Sequence, residues 1–202
     1  MHIERVFKTI KEIRQRLGKY FYKYKKTSLT VLMCVCLSVQ LYGGQPKPAP
    51  EYQVKAAFLY NFTRFVNWPA TAFHSADAPF VIGIIGNDPF GRYMEEIALN
   101  EKVGSHPIVI RRYSNLKDIV NAHLLFIHFP ATRRAEEIIS LVAQKSVLTV
   151  SDDENFTAHG GMINFYKENN KVRFQISPSP IRTARLEVSS KLLSVAKITP
   201  AQ

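Results

Sequence analysis

"FVIGIIGNDPFG", Phe80–Gly91, reads as an apolar strand, a glycine turn and the start of a helix. Phe80–Ile85 is almost continuously apolar, which suits a strand covered on both faces, as in the parallel sheet of an α/β protein. A strand–glycine–helix step is also where nucleotide-binding domains hold phosphate. The spacing argues against that use. Gly83-x-x-Gly86 is neither G-x-G-x-x-G nor G-x-x-x-x-G-K-[ST], and no Lys, Ser or Thr follows the turn. Asp88 instead offers a carboxylate to the free N–H groups of a starting helix, with Pro89 at the first helical position. An acidic cap repels an anion, so Asp88 and Pro89 are expected to be a structural helix cap.

Working outward, further strands are expected at 107–112, 123–128, 147–150, 162–165 and 172–176. Helices are expected at 89–99, 116–120, 132–143 and 181–196. Upstream, a helix begins at Glu51. Val54, Ala57, Phe58, Asn61, Phe62, Phe65 and Val66 recur on one face of it, and Trp68-Pro69 stops it. The pair 162–166 and 172–176, joined by "KENN", has the form of a hairpin. The reading is a single-domain α/β sandwich over 51–198, its mixed, mostly parallel sheet of about six strands flanked by helices. No internal repeat and no second domain is expected.

The net charge of +11 is uneven. Residues 1–26 hold nine Lys or Arg against Glu4 and Glu12, and the remainder is only mildly basic. A nucleic-acid partner would call for a basic patch within the folded part, so none is expected. Ser28–Leu41 is an uncharged, largely apolar run, shorter than the roughly 20 residues a membrane-spanning helix needs. A basic lead, a short apolar core and then Gly43-Gly44 make the order of a secretory signal peptide cleaved near Gly43, with an uncleaved anchor as the alternative. Either way the remainder is sent to the periplasm, behind a Pro-rich spacer over 44–50. Cys34 and Cys36 both lie within the apolar run, so cleavage leaves no thiol and no disulfide.

Chemistry-bearing residues are sparse. His123 and His128 fall on one strand at a spacing that points them to opposite faces, and no H-E-x-x-H or paired-cysteine pattern occurs. Neither a metal nor another cofactor is expected. Asp152, Asp153 and Glu154 follow a strand as a loop or cap, and no G-x-S-x-G elbow is present. Catalytic residues are therefore expected to be none. Arg173, Arg182 and Arg185, with Lys191, suggest a basic surface on a strand and the last helix that takes an anion or a partner. Trp68, just past the first helix, is the candidate aromatic anchor.

Four stretches together resemble the YfiR-like family of small periplasmic bacterial proteins. They are "AAFLYNFTRFVNWP" (56–69), "IGIIGNDPFG" (82–91), "VLTVSDDENFTAHGGMINFY" (147–166) and "KVRFQISPSPIRTARLEVSSKLLSVAK" (171–197). The resemblance covers Tyr52 to Lys197. It implies an α/β domain, usually a homodimer, without enzymatic activity. It also implies that the protein binds the periplasmic sensory region of a membrane diguanylate cyclase and represses it, lowering cyclic di-GMP and biofilm formation. An OmpA-like outer-membrane lipoprotein that sequesters the repressor is a further implied partner. Some members carry a redox-sensitive disulfide; a mature chain without cysteine departs from them. The alternative function is a periplasmic sensor of a small anion or nucleotide whose occupancy controls partner binding.

Overall fold

The computed structural model describes residues 50–119, 121–129 and 132–199. The expected signal peptide or anchor, Cys34, Cys36 and the spacer as far as Ala49 lie outside the described residues; Pro50 already belongs to the first helix. In chain order the elements are α1 (Pro50–Phe65), β1 (Val66–Asn67), β2 (Phe80–Gly86), α2 (Tyr93–Ala98), β3 (Lys102–Val103) and β4 (His106–Tyr113). They continue as β5 (Leu124–His128), α3 (Thr132–Val142), β6 (Leu148–Ser151), β7 (Ile163–Glu168), β8 (Lys171–Ile176), α4 (Pro178–Thr183), β9 (Glu187–Val188), α5 (Ser190–Leu193) and β10 (Lys197–Ile198). Short 3-10 turns lie at Ala70–Ala72 and at Leu116–Asp118, the second where a helix over 116–120 is expected. Among the described residues no helix is long and apolar enough to cross a membrane.

The main sheet has eight strands in the order β10-β8-β7-β6-β5-β2-β4-β3. The six expected strands are all present, and two-residue strands at either edge raise the count to eight. Strands β4, β2, β5, β6 and β7 run parallel to their neighbours, whereas β7 with β8 and β3 with β4 are antiparallel. The β7–β8 hairpin turns on Asn169 and Asn170, both at positive φ, the conformation its tight turn demands and Asn tolerates. One sheet face packs Ile82, Ile84 and Phe126 against Leu59 and Phe62 of α1; the other packs Ile85 and Ile127 with Ile138 and Val142 of α3. The result is helices on both faces of a twisted sheet.

Helix α1 buries part of the face the apolar spacing suggests, with Phe58, Phe62, Phe65 and Val66 packed inward, but the buried stripe is rotated toward Lys55, Leu59 and Thr63. Lys55, Ala56, Leu59, Phe62 and Thr63 are buried, while Val54 is 45% exposed and Ala57 is exposed. Two polar residues sit inward because each has a partner there: Thr63 Oγ1 donates to the Tyr60 carbonyl at 2.7 Å, and Lys55 meets acidic groups described below. The last expected helix, 181–196, is broken into α4, β9, α5 and β10. Arg185 adopts φ +59, and Leu186 N–H bonds to the Ile181 carbonyl while Arg185 N–H bonds to that of Arg182. That bond pattern is a left-handed helix stop. Beyond it β9 pairs with β1, and the Ser189 side chain caps α5.

The crossover from β6 to β7, described throughout, contains no helix. Phe156, fully buried, fills the space beneath it, and a Cβ at Gly161 would lie 2.3 Å from that ring. Gly86 is equally constrained: it ends β2 at φ +96, and a Cβ there would lie 2.1 Å from the His128 carbonyl oxygen. Because that neighbour is backbone, Gly86→Ala is expected to cost about 2–4 kcal/mol. Urea unfolding measures it, and a loss below about 1 kcal/mol would contradict the packing described here.

Candidate functional site

Strands β4 and β5 lie on opposite sides of β2, so the chain reverses direction across the sheet there. In open α/β sheets the carboxyl ends of the strands at such a reversal form a crevice where ligands bind. Here the first turns of α1 lie over that crevice. A cleft of about 830 Å³ remains, lined among others by Tyr52, Lys55, His128, Asp152, Tyr166 and Lys197.

Asp152, just past β6, is the centre of the cleft's polar network. Lys55 Nζ donates to its Oδ2 at 2.7 Å, and Tyr52 OH donates to the same oxygen at 3.1 Å. His128 Nδ1 lies 2.7 Å from Oδ1; a carboxylate only accepts, so Nδ1 carries the hydrogen. Burial by itself would raise the Asp152 carboxyl, but the His128 and Lys55 hydrogen bonds overcome it and hold the group down at about 2. Burial, then the Asp152 charge, pushes the Tyr52 phenol up to about 12. Lys55 also contacts Glu51 at 2.7 Å, one turn earlier, and Glu51 in turn contacts Lys167 of β7. Glu51, Lys55 and Asp152 thus each have a partner of opposite sign. Asp152, paired on both oxygens, is a clamp between α1, β5 and β6, and its lowered pKa makes it a weak proton acceptor.

In the turn that ends Phe80–Gly91, two backbone donors are likewise taken. Asn87 N–H bonds to the His128 carbonyl at 2.9 Å, and Phe90 N–H to Asp88 Oδ1 at 2.8 Å. Arg112 of β4 donates through Nε to Asp88 Oδ2 at 2.7 Å and through its other nitrogens to Glu95 and the Gly91 carbonyl. A phosphate arriving here would have to displace carboxylates already in place. The expected helix cap is corrected in position. Asp88 caps the Phe90 turn, Pro89 sits within that turn, and α2 starts only at Tyr93, after Gly91 at φ +53.

The other candidates are dispersed. Trp68 is half-buried: its Nε1 donates to the His123 carbonyl at 3.0 Å and its ring meets Phe80 edge-on at 4.7 Å. Arg173 is exposed on β8, 3.8 Å from Glu168. Arg182 is exposed on α4 and Arg185 in the stop that follows it, while Lys191 belongs to α5, so no continuous basic helix face forms. None of these three arginines lines the cleft. His123 is buried between the rings of Phe73 and Phe80, its Nδ1 accepting the Val81 N–H at 3.0 Å. Its Nε2 faces Ala72 without a hydrogen bond of normal geometry. Burial first, then nearby His106 and His74, lower its pKa to about 4, so the ring is neutral. Among the described residues no group of three or more His, Cys, Asp or Glu is placed to hold a metal ion.

The fold is that of a single mixed α/β domain. The YfiR/HmsC-like family profile matches residues 52–197, and the chain belongs to that family. It is a periplasmic, regulatory family that acts in diguanylate cyclase signalling and is non-catalytic. No curated protein matches the chain.

Two outcomes test the clamp. Lys55→Met leaves Asp152 buried without its ammonium and is expected to cost about 3 kcal/mol, much of it restored by adding Asp152→Asn. Urea unfolding of the two single variants and the double variant measures this; additive losses would contradict the clamp. The second outcome is a pH dependence. Asp152 ionises more readily folded than unfolded, so its contribution is complete above about pH 4 and is lost as pH falls toward 2. His123 binds its proton less readily folded, so stability also falls as pH drops from about 6.5 toward 4. His123→Gln should flatten the upper window and Asp152→Asn the lower one, each without altering the other.

Proposed function

We propose that this protein is a periplasmic repressor that works by stoichiometric binding: it engages the periplasmic sensory region of a membrane diguanylate cyclase and favours its inactive state. The observation that carries this reading is the family match over 52–197. The inward pairing of Asp152, Lys55 and His128 supports it, because the charged groups lining the cleft already bind one another. A bound partner shifts the cyclase by no more than its differential affinity for the two states, so a few kcal/mol of preference is sufficient. Lower cyclic di-GMP and less biofilm follow. Homodimerisation, export with cleavage near Gly43 and capture by an OmpA-like lipoprotein belong to the same proposal.

The exposed arginines are its proposed anchors, and the exposed edge of Trp68 is a weaker one. Arg is a frequent hot-spot residue, and truncating one at an interface costs about 1–2 kcal/mol or more. Co-purification with the cyclase encoded nearest to it, together with cyclic di-GMP measured after deletion, tests the reading. Association and a rise in cyclic di-GMP are expected; neither occurring would overturn it. Arg173→Ala, Arg182→Ala and Arg185→Asn, the last chosen because Asn tolerates the left-handed backbone, should weaken association without lowering the melting temperature. Undiminished association in the triple variant would remove the arginines as anchors.

A further inference from the structure

A second cavity, of about 450 Å³, lies away from the cleft, between the end of α3, the crossover loop before β7, α4 and the residue after β10. Its apolar wall includes Ile139, Val142, Met162 and Pro180, and among the described residues no charged one lines it. The rest of the lining is rich in hydroxyls: Thr149, Thr157, Ser177, Ser179, Thr183 and Thr199. Small-molecule sites have this size and this balance, a mostly apolar wall with a few placed polar groups.

The hydrogen-bond inventory of those hydroxyls is uneven. Thr199 and Thr183 donate to the carbonyls of Ile176 and Ser179. Thr149 accepts the Met162 N–H at 3.2 Å and Thr157 accepts from Gln175 at 2.8 Å, which leaves their own O–H donors without a protein acceptor among the described residues. Ser177 is 7% exposed, and among the described residues its hydroxyl has no protein partner. Thr149 and Thr157 each hold one hydrogen bond as acceptors, and the Ser177 hydroxyl is not sealed from solvent, so these donors are open to an occupant of the cavity. The unmet capacity is for donation, and the surroundings hold no counter-charge.

We propose that this cavity binds a small uncharged molecule that carries acceptor oxygens on an apolar frame. A carboxylate or an ammonium entering it would be desolvated without an ion partner, so charged analogues are excluded by the same walls that admit the neutral one. The ligand would bridge α3, the crossover loop and α4. These are different groups from the arginines and from the cleft, and binding here does not depend on the partner reading above.

Amide NMR shift mapping on the purified protein tests this, with acetophenone, coumarin and benzyl acetate as neutral probes against benzoate and benzylamine. The neutral probes are expected to shift the amides of Ala158, Gly160, Ser177 and Thr183, with the charged pair at least about tenfold weaker. Thr183→Trp, at an exposed wall position, should fill the cavity and abolish the shifts while the spectrum stays dispersed. If that variant does not fold, Ser177→Ala decides: neutral probes should bind about fivefold more weakly. No shifts with any neutral probe, equal shifts with the charged pair, or undiminished binding in either folded variant would overturn the proposal.

Discussion

The contact between Lys55 and Asp152 joins residues 97 positions apart and fixes how the first helix sits on the sheet. Its physics is demanding. An ammonium and a carboxylate with side chains 6% and 11% exposed have lost most of their water, so losing either one leaves the other with a large uncompensated cost. Rotating α1 by one residue would break the pair and turn Leu59 and Phe62 away from Phe165 and Phe174, whose rings lie 5.9 and 5.2 Å from that of Phe62. The polar contact thus selects a register that the aromatic layer then stabilises. Tyr52 and His128 add one further hydrogen bond each to the carboxylate, Tyr52 on Oδ2 and His128 on Oδ1.

The arrangement also separates fold from function. Strand order, parallel pairing and a glycine turn at the reversal point reproduce the layout in which other α/β proteins bind phosphates, yet the Phe90 N–H is taken by Asp88 and the Asn87 N–H by the His128 carbonyl. Gly86 is needed because another strand's backbone lies where a side chain would project. A chain can keep the architecture of a ligand crevice and use it as an internal clamp.

Much of the fold was legible because buried parallel strands are apolar runs bounded by turn residues. Phe80–Ile85 and Leu124–Phe129 could hardly be anything else, and the Asn-Asn turn marked its own hairpin. What was not legible depended on distant partners. The face of α1 was only partly legible: Phe58, Phe62, Phe65 and Val66 do pack inward, but Lys55 and Thr63 count as polar in any periodicity, although both are inside. The single expected terminal helix failed for a local reason of another kind: Arg185 takes a backbone conformation that nothing in its residue type announces. Of the clamp, Asp152 and His128 drew notice as isolated groups, but their meeting with Lys55 and Tyr52 required the three-dimensional path of the chain. A lone lysine in the apolar stretch "VKAAFLY" was the available signal.

The outer side of β8 has a further consequence. Strand β10 pairs only with its last two residues, Gln175 and Ile176, so Lys171 to Phe174 present an unpaired edge among the described residues. Such an edge is a template on which another molecule's strand can add, and repeated addition yields fibrils. Lys171 and Arg173 place two positive charges along it, and a second copy approaching in the same way would bring its own. Charges so placed disfavour edge-to-edge addition of a second copy, which is one way sheet edges are kept from growing.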